Sequence, residues 1–160
     1  MHEDRVYQRL TKDEYGILLA VSASLRSEDP KTQVGAVIVN EDYEVLSSGC
    51  NGLAKGLTLH DVSPDPIQDS VRLDHMIHAE QNAFRLVHKR EKPAIIYTTI
   101  SPCIPCCQTI ASYGIKKVVY KEQYHRCDKF KKFFDVYGIR YQQLSPQSAK
   151  RIKNSIKNKL

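Results

Sequence analysis

Ala94-Ile95-Ile96-Tyr97-Thr98-Thr99-Ile100-Ser101-Pro102-Cys103-Ile104-Pro105-Cys106 is the stretch of this 160-residue chain whose reading decides the fold. Ala94 to Thr99 has the apolar and β-branched composition of a buried strand. Pro102 then leads into residues 103–113, which read as a helix stopped by Gly114. The same unit repeats downstream. Lys117 to Tyr120 is a fourth strand, 126–137 a helix stopped by Gly138, and Ile139 to Gln143 a fifth strand. Strands that reach one another through helices run parallel in one sheet, with right-handed crossovers. Ser145 and Pro146 form an N-cap and N1 pair for a basic C-terminal helix at about 146–158.

Upstream, the periodicity predicts a helix over 12–26, capped by Thr11, with Ile17, Leu18, Val21 and Leu25 at helical spacing. Gln33 to Val39, the turn Asn40-Glu41-Asp42 and Val45 to Cys50 read as an antiparallel hairpin. Residues 51–69 hold Gly52, Gly56, Pro64 and Pro66 with little periodicity, and 53–77 is an excursion from the fold. A helical pattern starts at Ser70, and Ala79, Ala83, Phe84 and Val87 mark the apolar face of its later part. The expected architecture is one α/β domain spanning 1–160, with three layers (α/β/α) around a mixed five-stranded sheet.

A hydrophobic content of 41% and a charged content of 26% are those of an ordinary soluble domain. No apolar run reaches the 18 or so residues of a membrane span, and Met1-His2-Glu3-Asp4-Arg5 is too polar for a signal peptide, so a cytoplasmic location is expected. The cysteines stand at 50, 103, 106, 107 and 127. An odd, clustered set fits a metal site in a reducing compartment better than a disulfide framework. The net charge of +6 favours anionic partners, but much of it lies in Lys150, Arg151, Lys153, Lys157 and Lys159, which read equally well as a solvated helix face.

His78-Ala79-Glu80 and Pro102-Cys103-Ile104-Pro105-Cys106 carry the chemistry. Two thiolates at Cys-x-x-Cys spacing and one imidazole give three zinc ligands, and three rather than four leave a position open, as catalytic zinc requires. Such an ion lowers the pKa of water, and Glu80 is placed to move protons. A structural site would need a fourth ligand. Cys107 directly follows Cys106, and adjacent helical residues point about 100° apart. It is expected as a buried thiol, with Cys50 and Cys127 packing as small apolar groups. One Zn2+ per chain is expected.

H-x-E with P-C-x-x-C is the pattern of zinc nucleobase deaminases, and from about residue 15 to 144 the chain resembles the deoxycytidylate (dCMP) deaminases of the cytidine deaminase-like superfamily. The resemblance rests on Gln33 to Val39, Ser48-Gly49-Cys50-Asn51-Gly52, His78 to Ala83, Ser101 to Cys106, Gly114 to Tyr120, Tyr124 and Gly138-Ile139. It implies hydrolytic deamination of dCMP to dUMP and ammonia, with Glu80 catalytic and His78, Cys103 and Cys106 on zinc. It also implies substrate binding by Asn51, the backbones of Ala79 and Ser101, and Tyr124 near the sugar-phosphate end. Asn51 before Gly52 also reads as a turn pair, and Tyr124 as core or surface. Lys31, Lys121 and Arg126 are phosphate candidates on charge alone, for which plain surface charge is the simpler reading.

The resemblance further implies a dimeric or hexameric homo-oligomer, a small nucleotide substrate and dCTP and dTTP as regulators. At the regulatory segment, where many members carry Gly-Tyr-Asn-Gly-x-Pro-x-Gly, this chain has Gly49-Cys50-Asn51-Gly52-Leu53-Ala54-Lys55-Gly56. Alternative substrates are dCTP or deoxycytidine, and a tRNA adenosine in a deaminase of another class. The basic tail lacks the interleaved aromatics that stack bases, and no nucleic-acid partner is expected. A non-catalytic scaffold would have no need of Glu80.

Overall fold

The computed structural model describes residues 9–68, 70–124, 128–157 and 159. The expectations for Arg126 and Cys127 fall outside these residues. The elements run α1 (Lys12–Ser24), β1 (Gly35–Val39), β2 (Val45–Cys50), α2 (Leu59–Val62), α3 (Val71–His75), α4 (Ala79–Phe84), β3 (Ile95–Ile100), α5 (Ile104–Ser112), β4 (Lys117–Glu122), α6 (Lys129–Tyr137), β5 (Arg140–Gln143) and α7 (Pro146–Ile156).

Local chemistry sets the ends of these elements. Thr11 and Glu14 form a capping box on α1: the Glu14 N–H donates to Thr11 Oγ1 at 3.2 Å and the Thr11 N–H to Glu14 Oε2 at 2.8 Å. Ser145 caps α7 by accepting from the Ser148 N–H at 3.1 Å. Gly114 (φ 78°) and Gly138 (φ 65°) end α5 and α6 in the left-handed region, the stops their positions in the sequence foretell.

The five strands form one sheet in the order β2-β1-β3-β4-β5. β1 pairs antiparallel with both β2 and β3, while β3, β4 and β5 are parallel. The expected mixed sheet is thus the observed one. Alternation along the strands divides the core. Ala36, Ile38, Ile96, Val118 and Tyr120 pack with Ala79, Ala83 and Phe84 of α4, Ile110 of α5 and Phe130 and Phe134 of α6. Val37, Val39, Tyr97 and Val119 face Ile17 and Ala20 of α1 and Ile152 of α7. Two apolar layers, one on each sheet face, make the three-layer arrangement. α7 is tied to α1 by Arg151, whose Nη2 lies 3.4 Å from Oε2 of the buried Glu14.

One expectation fails. The pattern beginning at Ser70 is not a continuous helix but two short ones, α3 and α4, parted at Met76-Ile77-His78. Ile77 pairs instead with Gly52, exchanging hydrogen bonds in both directions (2.8 and 3.1 Å), and this extended backbone interrupts the helical ladder. The region read as loop also contains α2, where the Thr58 N–H and hydroxyl both donate to Asp61 Oδ2 at 2.7 Å.

The mixed topology has a spatial result. Because β1 opposes β3, the segment entering β1, the exit of β2 and the exits of β3 and β4 all meet at one edge of the sheet. Gly35 stands opposite Cys50, and Ala36 opposite Thr98. Every chemically suggestive segment of the sequence leaves or enters the sheet there.

Candidate active site

Cys103 is the N-cap residue of α5, with Cys106 inside its first turn. His78 is the N-cap residue of α4, followed by Ala79 and Glu80. The two helix starts converge. His78 Nδ1 lies 3.3 Å from both Cys103 Sγ and Cys106 Sγ, and the three ligand atoms fall within 4.8 Å of one another. Tetrahedral zinc with ordinary Zn–S and Zn–N lengths sets its ligands about 3.6 Å apart, so these donors fit the ion. Among the described residues no fourth His, Cys, Asp or Glu joins them. Cys107 is turned away into the core beside Ile110 and Phe130, its sulfur 3.9 Å from the Pro102 carbonyl. Cys50, expected to pack as an apolar group, is half-buried at the end of β2.

Protons are distributed unevenly over the donors. A hydrogen bond from Cys106, opposed by burial and aided by His78, pulls the Cys103 thiol down to about 4. Cys106, hydrogen-bonded to that thiolate and buried, is pushed up. The hydrogen bond to Cys103 raises His78 against the effect of burial. Glu80 is 4% exposed, and burial pushes its carboxyl above the ordinary value. A thiolate already favoured at a helix start is a ready metal ligand, and a desolvated carboxyl is a ready proton carrier.

A side-chain-free strand position lets α4 come this close. A Cβ on Gly49 of β2 would sit 2.5 Å from the Ala83 nitrogen and 2.6 Å from the Ala79 carbonyl oxygen. Side chains then fasten the contact: Ser47 Oγ donates to the Ala83 carbonyl at 2.7 Å, and Asn82 Nδ2 to the Cys50 carbonyl at 2.8 Å.

A cavity of about 340 Å3 opens over the group. Beside the candidate metal group it is lined by His78, Ala79, Glu80, Ser101, Pro102 and Cys103, and on its other side by Asp29, Thr32, Val34, Asn51, Leu73 and Met76, with Ile100 and Tyr124. All four residues expected at the substrate, Asn51, Ala79, Ser101 and Tyr124, line it. Asn51 is 8% exposed; its Oδ1 accepts from the Val34 N–H at 2.8 Å and its Nδ2 donates to the Thr32 carbonyl at 2.9 Å. One amide hydrogen and one oxygen lone pair remain beyond these bonds. The Tyr124 N–H donates to Ser101 Oγ at 2.9 Å, and its ring is 49% exposed. Lys31 is exposed. Lys121 pairs with Glu122 and borders a separate cleft beside Gln143 and Pro146.

Sequence reasoning missed Asp29, Thr32, Leu73 and Met76 as cavity residues. Ser27-Glu28-Asp29-Pro30 carried a turn signal, since an Asp before a proline can bond the backbone ahead of it. Nothing local marked Leu73 or Met76.

A three-layer fold with His, Cys and Cys ligands at two helix starts and a buried glutamate beside them defines a zinc hydrolase centre of the nucleoside-deaminase type. The chain belongs to the family described as the cytidine and deoxycytidylate deaminase zinc-binding region, whose model matches residues 10–122. It is 31% identical over 146 residues to human deoxycytidylate deaminase, covering 86% of this chain and 82% of that protein. It is 34% identical over 141 residues to ComE operon protein 2 of Bacillus subtilis, covering 86% and 73%. The crystal structure of dCMP deaminase from the cyanophage S-TIM5, in apo form, shares the fold with a TM-score of 0.63 at 24% identity, covering 82% of this chain and 96% of that one. Among the described residues no helix is long and apolar enough to cross a membrane.

Proposed function

We propose that this chain deaminates dCMP hydrolytically to dUMP and ammonia, acting on a free nucleotide. One observation carries the reading: a single cavity is lined by His78 and Cys103 of the ligand group, the buried Glu80 and the four expected binding residues, in a chain related over most of its length to a protein named deoxycytidylate deaminase. The volume is within the range of about 300–1,000 Å3 typical of small-ligand sites.

His78, Cys103 and Cys106 would hold zinc, which when bound would supply Lewis-acid activation of water. The chain's residues supply the rest. The Ala79 N–H, in the first turn of α4 and so lacking a helical acceptor, donates to the pyrimidine carbonyl. The Ser101 backbone carbonyl accepts from the exocyclic amine. Asn51, already fixed by Val34 and Thr32, offers its remaining amide hydrogen and lone pair to the sugar, and the Tyr124 ring covers the sugar-phosphate end. Glu80 takes a proton from the attacking water as oxygen bonds to C4 and passes it to N3. It then delivers the second proton to the amine as the C4–N bond breaks, leaving uracil and ammonia.

A second reading, deamination of an unphosphorylated nucleoside, is favoured by the wall itself: among the described residues lining the cavity there is no lysine or arginine. Ammonia release across dCMP, dCTP, deoxycytidine and CMP separates the two. The proposal expects the highest kcat/KM on dCMP, and an equal or greater value on deoxycytidine overturns it. A homo-oligomer is part of the same reading, checked by sedimentation; Cys50 and Ala54 standing where many members have Tyr and Pro argue against regulation by dCTP or dTTP, checked by repeating the assay with each triphosphate.

A further inference from the structure

Arg72 and Asp29 form an ion pair nearly out of water. Arg72 Nε lies 3.6 Å from Asp29 Oδ2, and the two residues are 4% and 5% exposed. Desolvating two charges offsets most of their attraction, so such a pair is weak evidence of stabilisation and better evidence of a specified arrangement. Here the arrangement joins two segments that line the same side of the cavity. Asp29 Oδ1 accepts from the Lys31 and Thr32 N–H groups at 2.8 and 2.9 Å, fixing the turn that ends in Thr32. The Thr32 carbonyl holds the Asn51 amide, and Asn51 in turn holds Val34. On the Arg72 side, α3 contributes Leu73 to the cavity, and its C-cap residue Met76 contributes a second apolar side chain. The Met76 N–H donates to the Arg72 carbonyl at 3.1 Å. The inserted segment is otherwise fastened nearby through the Ile77–Gly52 backbone pairing.

We infer that Arg72 is a positioning residue: it latches α3 to the Asp29 turn, so that the inserted segment sets how tightly the cavity holds its substrate without touching the reacting atoms. The inference rests on the proposed deamination and adds a role for a segment that carries none of the zinc or proton chemistry. Loss of the latch loosens Leu73 and Met76 on one side and Thr32 and Asn51 on the other. Substrate binding suffers, while His78, Glu80, Cys103 and Cys106, held by α4 and α5, stay in place.

The test uses the full chain loaded with zinc and the variants Arg72→Met, Arg72→Lys and Asp29→Asn, the last being nearly isosteric and so informative even where Arg72→Met fails to fold. kcat and KM are measured on dCMP and on deoxycytidine, together with zinc content and hydrogen exchange of the 57–77 segment. Arg72→Met and Asp29→Asn are expected to raise KM on both substrates by about tenfold or more, the scale on which small misplacements of binding groups act. kcat and zinc content stay near wild type, exchange in the segment quickens, and Arg72→Lys falls between. A KM rise confined to dCMP would make Arg72 a phosphate contact and overturn the latch. So would unchanged exchange, or a parallel loss of zinc and kcat. A wild-type chain that deaminates neither substrate sinks the proposed function instead, and the exchange result then still decides the latch.

Discussion

The two sides of the cavity are built differently. The metal side joins two helix starts: Cys103 and Cys106 stand three residues apart at the start of α5, and His78 meets them from the start of α4, with both helices packed against the sheet. The opposite side joins more segments: the Asp29–Thr32 turn, Asn51 beyond β2 and the inserted α3 with Leu73 are held by hydrogen bonds and the Arg72–Asp29 ion pair. Under the proposed function, the metal group depends on two helix starts and the substrate wall on several segments agreeing.

The largest break in that comparison is on the metal side. Cys106→Ala should lose zinc and all measurable turnover, as should dialysis of the wild type against a chelator. Metal content by atomic absorption and ammonia release check both, and zinc retained at full stoichiometry in the variant would remove Cys106 from the ligand set. Glu80→Ala should keep its zinc while kcat falls by about 10²–10⁴, the usual contribution of positioned acid-base groups. Normal turnover in that variant would end the proton-carrier role.

Smaller effects probe the supports. Asn51→Ala strands the Val34 N–H and the Thr32 carbonyl, at about 1–3 kcal/mol for each polar group left unsatisfied. It should raise KM with zinc unchanged, and steady-state kinetics beside a urea melt separate the two consequences. Gly49→Ala forces a methyl against the α4 backbone and should cost about 1–3 kcal/mol by overpacking, with weaker zinc retention because His78 moves with the helix. A melting temperature equal to wild type would show that β2 and α4 part freely.

The smallest effect lies remote from both sides. Burial opposes the charge on Glu14, but the Thr11 N–H, Ser148, Arg151 and the Thr11 hydroxyl outweigh it and hold the carboxyl below its ordinary value of 4.5. A lowered folded pKa contributes stability above the unfolded value, and that stability is lost as pH falls through the folded value. Wild type should therefore exceed Glu14→Gln in urea midpoint at neutral pH, with the gap closing below about 4.5. A pH-independent gap would assign the effect to packing.

The contrast also explains what could be read from the residues in order. The grouping of His78, Cys103 and Cys106 and the parallel half of the sheet were legible because they follow local signals: a Cys-x-x-Cys turn, a glycine stop, an apolar run of strand length. The break between α3 and α4 was not, because Met76 and Ile77 continue an apolar helical pattern and only the distant Gly52 claims Ile77 for extended pairing. Arg72 was equally hidden, since an arginine in a polar stretch reads as solvated until Asp29 is seen beside it. Asn51 was legible as a special position, but its bonds to Val34 and Thr32 show that it serves the turn as well as the cavity.

The sheet's directional switch at β1 gathers the described cavity-lining segments at one end of the strands, so the opposite end contributes none of them. There the turn after β1, the approaches to β4 and β5 and the Gly114 and Gly138 stops join elements without touching the cavity. That rim is where a fluorophore, an affinity handle or a fused domain can be grafted at residues 40–43. A reporter grafted there would stand away from the cavity.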